Sequence, residues 1–301
     1  MTPQEILSTQ NTKTWKIQQL LSLGLTRRQI ADLMNVGYGF VQNVYAAQRG
    51  ASTTPTFSFI PFNRRFGIEF EAYNVTKSKL LSALRVEGIE AYDESYNHAN
   101  RAYWKIVSDS SIEGRNAFEV VSPVLQGLAG LEQVEKVCKA LKACNAYINK
   151  SCGTHIHFDA TEFGLNQWKN ILLNYAHYED IIDSFMPASR RANANYYCKS
   201  LKGYERKIKE ATTLSKMVDA FSSRYFKINL QAFSRHNTIE FRQHSGTIEF
   251  EKISNWITFL HNLVEFSKFE QANTVGFEGL NKFQTAETLA YLHNRIQDLA
   301  A

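Results

Sequence analysis

Four segments of this 301-residue chain place apolar residues at alternate positions and fill the positions between them largely with Glu, His, Asn and Arg. Side chains alternate across a strand, so each segment reads as a strand with one core face and one polar face. In RRFGIEFEAY (64–73), Ile68, Phe70 and Ala72 oppose Gly67, Glu69 and Glu71. In KSCGTHIHFDA (150–160), His155, His157 and Asp159 oppose Thr154, Ile156 and Phe158. FKINLQAF (226–233) sets Asn229 and Gln231 against Ile228 and Leu230. NTIEFRQHSGT (237–247) sets Glu240, Arg242 and His244 against Ile239 and Phe241, and FEVVSP (118–123) adds Glu119 beside Val120 and Val121. A sheet with one solvated face also alternates. Such a face samples Lys, Thr and Ser, however, whereas these faces repeat metal-ligating and anion-binding types.

That residue set has a definite chemistry. Carboxylates with one or two imidazoles suit a hard divalent ion such as Mg²⁺ or Mn²⁺, and no thiol lies on these faces. Glu69 and Glu71, about 7 Å apart along one strand face, can each feed a neighbouring ion. Arg242, two residues after Glu240, can reach a transferring phosphoryl group beside the metal. Asp109 in VSDSS (107–111) is either a further polar site residue or a strand-end turn former. Arg190 and Arg191 can bind a carboxylate or phosphate, or simply open a solvated helix.

Strand-like segments at 65–73, 88–93, 102–108, 117–122, 153–159, 225–233 and 237–243 alternate with helix-like ones at 76–86, 128–145, 165–184, 202–220, 251–269 and 284–299. This order predicts an α+β fold with an antiparallel sheet covered on one face and a site on its polar face. A hydrophobic fraction of 44% with 13% aromatics fits an ordered globular chain. No apolar run of about 18 residues predicts a membrane span, and MTPQEILSTQNTKTW lacks a secretory layout. Cys138, Cys144, Cys152 and Cys198 form no CxxC pair, which fits free thiols and a cytoplasmic protein.

The N-terminal sixth differs. Residues 1–50 hold five Lys/Arg against Glu5 and Asp32, while the other 251 residues are nearly balanced, at 29 basic and 27 acidic. Residues 12–50 read as three short helices with Thr26 capping the second, and the turn at Asn35–Gly37 gives the pattern of a helix-turn-helix. Tyr38, Gln42 and Asn43 would face bases of duplex DNA, and Arg27 and Arg28 its phosphates. A protein-docking unit and an N-terminal brace remain alternatives. The expected boundaries are 1–50 for this domain, 51–63 for a Ser/Thr/Pro-rich linker, 64–270 for the catalytic domain and 271–301 for a helical extension.

The ordered set FGIEFE (66–71), WKIVSDSSI (104–112), FEVVSP (118–123), CGTHIHF (152–158), YFKINLQAF (225–233) and TIEFRQHSGT (238–247) resembles the amidoligase family, related to glutamine synthetase and glutamate–cysteine ligase. The resemblance implies a glutamine synthetase-like catalytic domain and ATP-dependent ligation of a carboxylate to an amine through an acyl phosphate. It implies that Glu69 and Glu71 each contact one of two Mg²⁺ or Mn²⁺ ions, with Glu119 sharing the ion of Glu71 and His155 and Glu240 that of Glu69. His157 would face a nucleotide phosphate, Asn229 and Arg190 would lie on the cofactor side, and Arg242 would stabilise the transferred phosphoryl. A further carboxylate beside Glu119 is left open, with Glu113 as candidate. The amine and carboxylate are not identified, and a homo-oligomer is open. A DNA-binding regulator whose ligase-like domain senses a nucleotide or amino acid is the alternative, and the helix-turn-helix tilts the substrate toward a nucleic-acid-associated, phage-related role.

Overall fold

Threonines start three of the four N-terminal helices in this computed structural model, which describes residues 2–50 and 61–300. The helices are α1 (Pro3–Ser8), α2 (Lys13–Ser22), α3 (Arg27–Leu33) and α4 (Tyr38–Gly50). The hydroxyls of Thr2, Thr12 and Thr26 each accept a backbone N–H from the first turn, and Glu5 and Gln29 close the reciprocal half of a capping box on α1 and α3. Helix α1 was not anticipated, because six residues are too few to show a period. Asn35, at φ 48°, turns the chain from α3 to α4 through the left-handed region that Asn tolerates. Ile6, Ile17, Leu20, Ile30, Ala31, Val41 and Val44 form a core of their own. The chain divides into two compact units, Met1–Thr56 and Phe57–Ala301. The expected linker lies outside the described residues, apart from 61–63.

The second unit is built on an eight-stranded sheet. Its strands are β1 (Arg65–Ala72), β2 (Ala91–Asp93), β3 (Trp104–Ser108), β4 (Phe118–Val121), β5 (Leu125–Gln126), β6 (Thr154–Asp159), β7 (Ile228–Asn229) and β8 (Thr238–Phe241). They lie in the order β2-β3-β4-β1-β6-β8-β7, and β5 pairs with β1. Among the described residues these strands pair antiparallel except β2 with β3, so the expected antiparallel sheet carries one parallel edge.

The helices are α5 (Lys77–Val86), α6 (Gly127–Ala143), α7 (Leu165–Ser184), α8 (Glu205–Glu210), α9 (Leu214–Ala220), α10 (Ala232–His236), α11 (Phe250–Ser267) and α12 (Ala286–Ala300), with short 3₁₀ helices at Ala188–Arg190 and Phe277–Lys282. Ile68, Phe70, Ile156, Phe158, Ile239 and Phe241 are fully buried beneath helices α6, α7 and α11 in one continuous core. Tyr175 of α7 lies 5.8 Å from the Phe241 ring, and His261 of α11 lies 6.3 Å from Phe158. Helix α6 comes so close to β1 that a Cβ on Gly130 would lie 2.9 Å from the Phe66 ring. The C-terminal stretch joins this core through Leu280, Phe283 and Leu292, with Phe283 stacked on Phe266 at 4.9 Å.

Two expected elements are interrupted. The helix expected over 202–220 splits into α8 and α9, because the Thr213 hydroxyl accepts the Lys216 N–H and so starts a new helix. The strand expected over 225–233 pairs only at Ile228–Asn229. There the Asn229 side chain accepts the Gln231 N–H, the chain turns into α10, and left-handed Asn237 (φ 55°) returns it into β8. Among the described residues no helix is long and apolar enough to cross a membrane.

Candidate active site

Register brings the polar residues of separate strands into one row. Glu119 lies opposite Glu71, Glu69 opposite His155, and His157 opposite Glu240, which in turn lies opposite Asn229. Directly opposed residues share a face, so β4, β1, β6, β8 and β7 present these side chains to one side of the sheet. That side floors a cavity of about 860 Å³. Glu71, Glu119, His155, Asn229 and Glu240 are buried there.

The side chains hold one another. His155 Nδ1 lies 3.0 Å from Glu69 Oε2, 3.7 Å from Glu240 Oε1, and its Nε2 lies 3.6 Å from Glu71 Oε1. His157 places Nε2 3.4 Å from Glu69 Oε1 and Nδ1 3.0 Å from the Thr238 hydroxyl. The Gly153 N–H donates to Glu71 Oε2 at 2.6 Å, and a Cβ at Gly153 would lie 2.9 Å from His155 Nε2, so the close approach requires glycine there. Asn229 Nδ2 donates to Glu240 Oε2 and Arg242 Nη1 to Glu240 Oε1, each at 2.5 Å.

Charge is unevenly shared within the row. Burial and then the charges of Glu69 and Glu71 push the Glu119 carboxyl well above the usual range. Burial acts the same way on Glu69, but His157 and His155 overcome it and hold Glu69 well below that range. Burial also opposes ionisation of Glu240, yet Arg242 and His157 keep its carboxyl low. Burial disfavours the His157 cation most, but the charge and contact of Glu69 together with the charge of Glu240 more than offset it and raise the imidazole above its usual range.

Such a cluster fits a divalent cation. Two groups, Glu69–His157–Glu240 and Glu69–Glu119–His155, each bring three ligand atoms within 4.8 Å of one another, and they share Glu69. The donors are carboxylate and imidazole, and buried His157 Nε2 lies 3.4 Å from Glu69 Oε1 without the geometry of a hydrogen bond. A cation here would neutralise carboxylates that cannot all ionise side by side. His157, expected to face a phosphate, thus stands within one ligand group, whereas Glu71 belongs to neither group: one oxygen lies 3.6 Å from His155 Nε2 and the other accepts the Gly153 N–H.

The other expected residues are placed unevenly. Asp109 lines the cavity, but its Oδ1 accepts both the Ser111 N–H and hydroxyl at 2.7 Å, which makes it a turn former as well. Arg190 is buried on the cavity wall, donates to the Cys152 carbonyl and leaves Nε without a partner. Arg191 instead donates to the Met186 carbonyl, and Glu113 is absent from the cavity lining. His244 leaves the polar face altogether: β8 ends at Phe241, and the His244 ring packs 5.6 Å from Trp256 of α11.

Sequence reasoning passed over Lys105, His98, Arg224, Arg235 and His236, all of which line the cavity. Lys105 alternates with Ile106 on β3 and was open to the same face argument. His98 and His236 sit in a loop and a short helix that show no period.

In the N-terminal unit, Arg27 Nη1 donates to Gln42 Oε1 at 2.7 Å, and its guanidinium lies 4.6 Å over the Tyr45 ring. Arg28 lies 5.0 Å over the Tyr38 ring, and Asn43 is exposed. Of the expected DNA-facing residues, Arg27 is thus paired with Gln42 and Arg28 with Tyr38.

Residues 62–264 match the family described as "Putative amidoligase enzyme". No curated protein matches the chain. A solved structure titled "Crystal structure of novel glutamine synthase homolog" is similar at 12% identity and a TM-score of 0.39, covering 79% of this chain and 65% of its own. The chain thus spans less than two thirds of that protein's length, and the likeness is too distant to carry weight.

Proposed function

This chain belongs to the amidoligase family, and on that premise we propose that it is an ATP- and Mg²⁺-dependent ligase that joins a carboxylate to an amine through an acyl phosphate. The observation that carries the proposal is the pair of ligand groups sharing Glu69 with Arg242 fastened to Glu240 beside them. Mg²⁺ or Mn²⁺, held by Glu69, Glu119, His155, His157 and Glu240 with Glu71 adjacent, would supply positive charge against phosphate oxygens. Glu240 fixes Nη1 of Arg242 and the Tyr197 carbonyl takes its Nε, which holds the guanidinium in the cavity lining, where it would stabilise charge on a phosphoryl group in transfer. Asn229 holds the other Glu240 oxygen and keeps that carboxylate from rotating. Arg190, with its free Nε, is suited to a substrate carboxylate or phosphate.

Hydroxylamine provides a direct test, because it traps an acyl phosphate as a hydroxamate whichever amine is natural. ADP and hydroxamate should form together from ATP, Mg²⁺ and members of a carboxylate panel. Tight nucleotide binding without ADP release across the whole panel would favour a nucleotide sensor. For residues 1–50 we propose duplex DNA as partner, on the excess of basic residues and the turn between α3 and α4. Replacing Arg27 and Arg28 by Ala should weaken salt-sensitive retention on DNA, and equal retention would indicate protein docking.

A further inference from the structure

Strands β2 and β3 are parallel neighbours, so the chain between them must double back along the sheet. It does so in residues 94–103, ten residues with no regular structure. The doubling-back segment lies over the polar face, where Tyr96, Asn97, His98, Ala99 and Asn100 line the cavity. It reaches far across: the His98 ring lies 6.5 Å from His236 of α10, and His236 lies 6.1 Å from His157 of β6. Strands β4 and β1 separate β3 from β6. At about 4.8 Å per strand, the segment spans roughly 14 Å of sheet and passes above the carboxylate row.

Two pins hold it. At its base Glu94 accepts Arg101 Nε at 2.8 Å, Arg101 Nη2 at 3.0 Å, the Tyr103 hydroxyl at 2.8 Å and Asn97 Nδ2 at 2.7 Å. From beneath, Lys105 of β3, only 3% exposed, donates to the Asn97 carbonyl at 2.9 Å, Asn97 Oδ1 at 3.1 Å and the Ala99 carbonyl at 2.9 Å. An ammonium has three N–H donors, and three oxygens of this segment take them. Lys105 therefore stands on the catalytic face with no donor left for a substrate.

We propose that residues 95–100 form a roof that selects which molecules reach the carboxylate row, and that Lys105 is the positioning residue that holds the roof down. The cavity between roof and sheet falls within the span of small-molecule sites, about 300–1,000 Å³. Taken with the ligase reading, on which this part rests, the acyl substrate is a small molecule or a slender chain end rather than a side chain on a folded surface.

The test needs no substrate. In the full-length protein, diethyl pyrocarbonate acylates accessible imidazoles, and mass spectrometry reads His157, beneath the roof, against exposed His293. Lys105→Met removes three charge-assisted hydrogen bonds and should raise the opening equilibrium, and so the His157 rate, by about tenfold or more. The His293 rate should not change, and trypsin should cut faster after Arg101. Glu94→Gln and His98→Ala act on the base and the tip without touching the buried lysine, and should shift His157 in the same direction by less. Wild-type His157 rates in all three folded variants would overturn the roof. Addition of Mg²⁺ with a non-hydrolysable ATP analogue should slow His157 further in the wild type. Failure of that arm alone would count against the ligase reading, while the ligand-free ratio between variant and wild type still decides the roof.

Discussion

The two faces of the central sheet are made by neighbouring residues of the same strands, yet they obey opposite energetics. On the helix side Phe66, Phe158 and Phe241 are removed from water and pack ring against ring, at 6.3 Å and 6.2 Å from Phe158. On the cavity side four glutamates and two histidines crowd together, and burial there disfavours charge. The difference teaches that the helix face stabilises the fold while the cavity face draws on that stability to keep a strained set of charges in place. Substitutions one residue apart should therefore have unlike consequences.

The largest effect is expected on the helix face. Phe158→Ala should cost about 3–5 kcal/mol in denaturant unfolding, the range for deleting a fully buried aromatic. His157→Ala, one residue away, should leave stability close to the wild type. Equal losses at the two positions would break the contrast. Next is Arg242→Lys, which keeps the charge and loses the two-pronged geometry. Turnover should fall by about 10²-fold, with nucleotide affinity changed only a few-fold. Parallel losses in both would make Arg242 a simple binding group.

His244 sharpens the comparison because strand alternation assigns it to the cavity face, whereas it packs against Trp256. Burial lowers its imidazole from 6.5 to about 4, so it is neutral in the fold. Between those values the unfolded chain binds the proton and the folded chain does not, so this residue makes stability fall as pH drops through that window. The slope it contributes approaches about 1.4 kcal/mol per pH unit. His244→Gln should flatten the thermal stability profile between pH 6.5 and 4, and an unchanged slope would mean the ring is not buried neutral. The smallest effect is expected at Glu119, whose carboxyl is raised by burial and by Glu69 and Glu71. Its folded form holds a proton that the unfolded form releases, so the metal-free protein loses stability from this group as pH rises. Glu119→Gln should therefore stabilise the metal-free protein by on the order of 1 kcal/mol, more at pH 8 than at pH 5. A destabilised variant at pH 8 would mean that Glu119 is already ionised and compensated.

Much of this contrast was legible in the sequence because a period of two assigns faces without knowledge of the partner strand. Glu69, Glu71, His155, His157 and Glu240 could be put on one side from their own segments. Register could not be read in the same way, and it makes Glu69 rather than Glu71 the common member of both ligand groups. The break at Asn229 was hidden as well, since a side chain that accepts the N–H two residues on competes with the strand ladder without disturbing the alternation. Lys105 was visible as a residue but not as a tether. Its partners are loop oxygens, and loops carry no period.

The central claim is that two ion sites are joined through one carboxylate, and counting bound Mn²⁺ by electron paramagnetic resonance tests it most directly. With a non-hydrolysable ATP analogue present, the wild type should hold two ions per chain, one for each ligand group. Glu240→Gln should lose one of them and Glu69→Gln both. A wild type that binds no Mn²⁺ at millimolar concentration, or a Glu69→Gln variant that binds as the wild type does, would contradict the account.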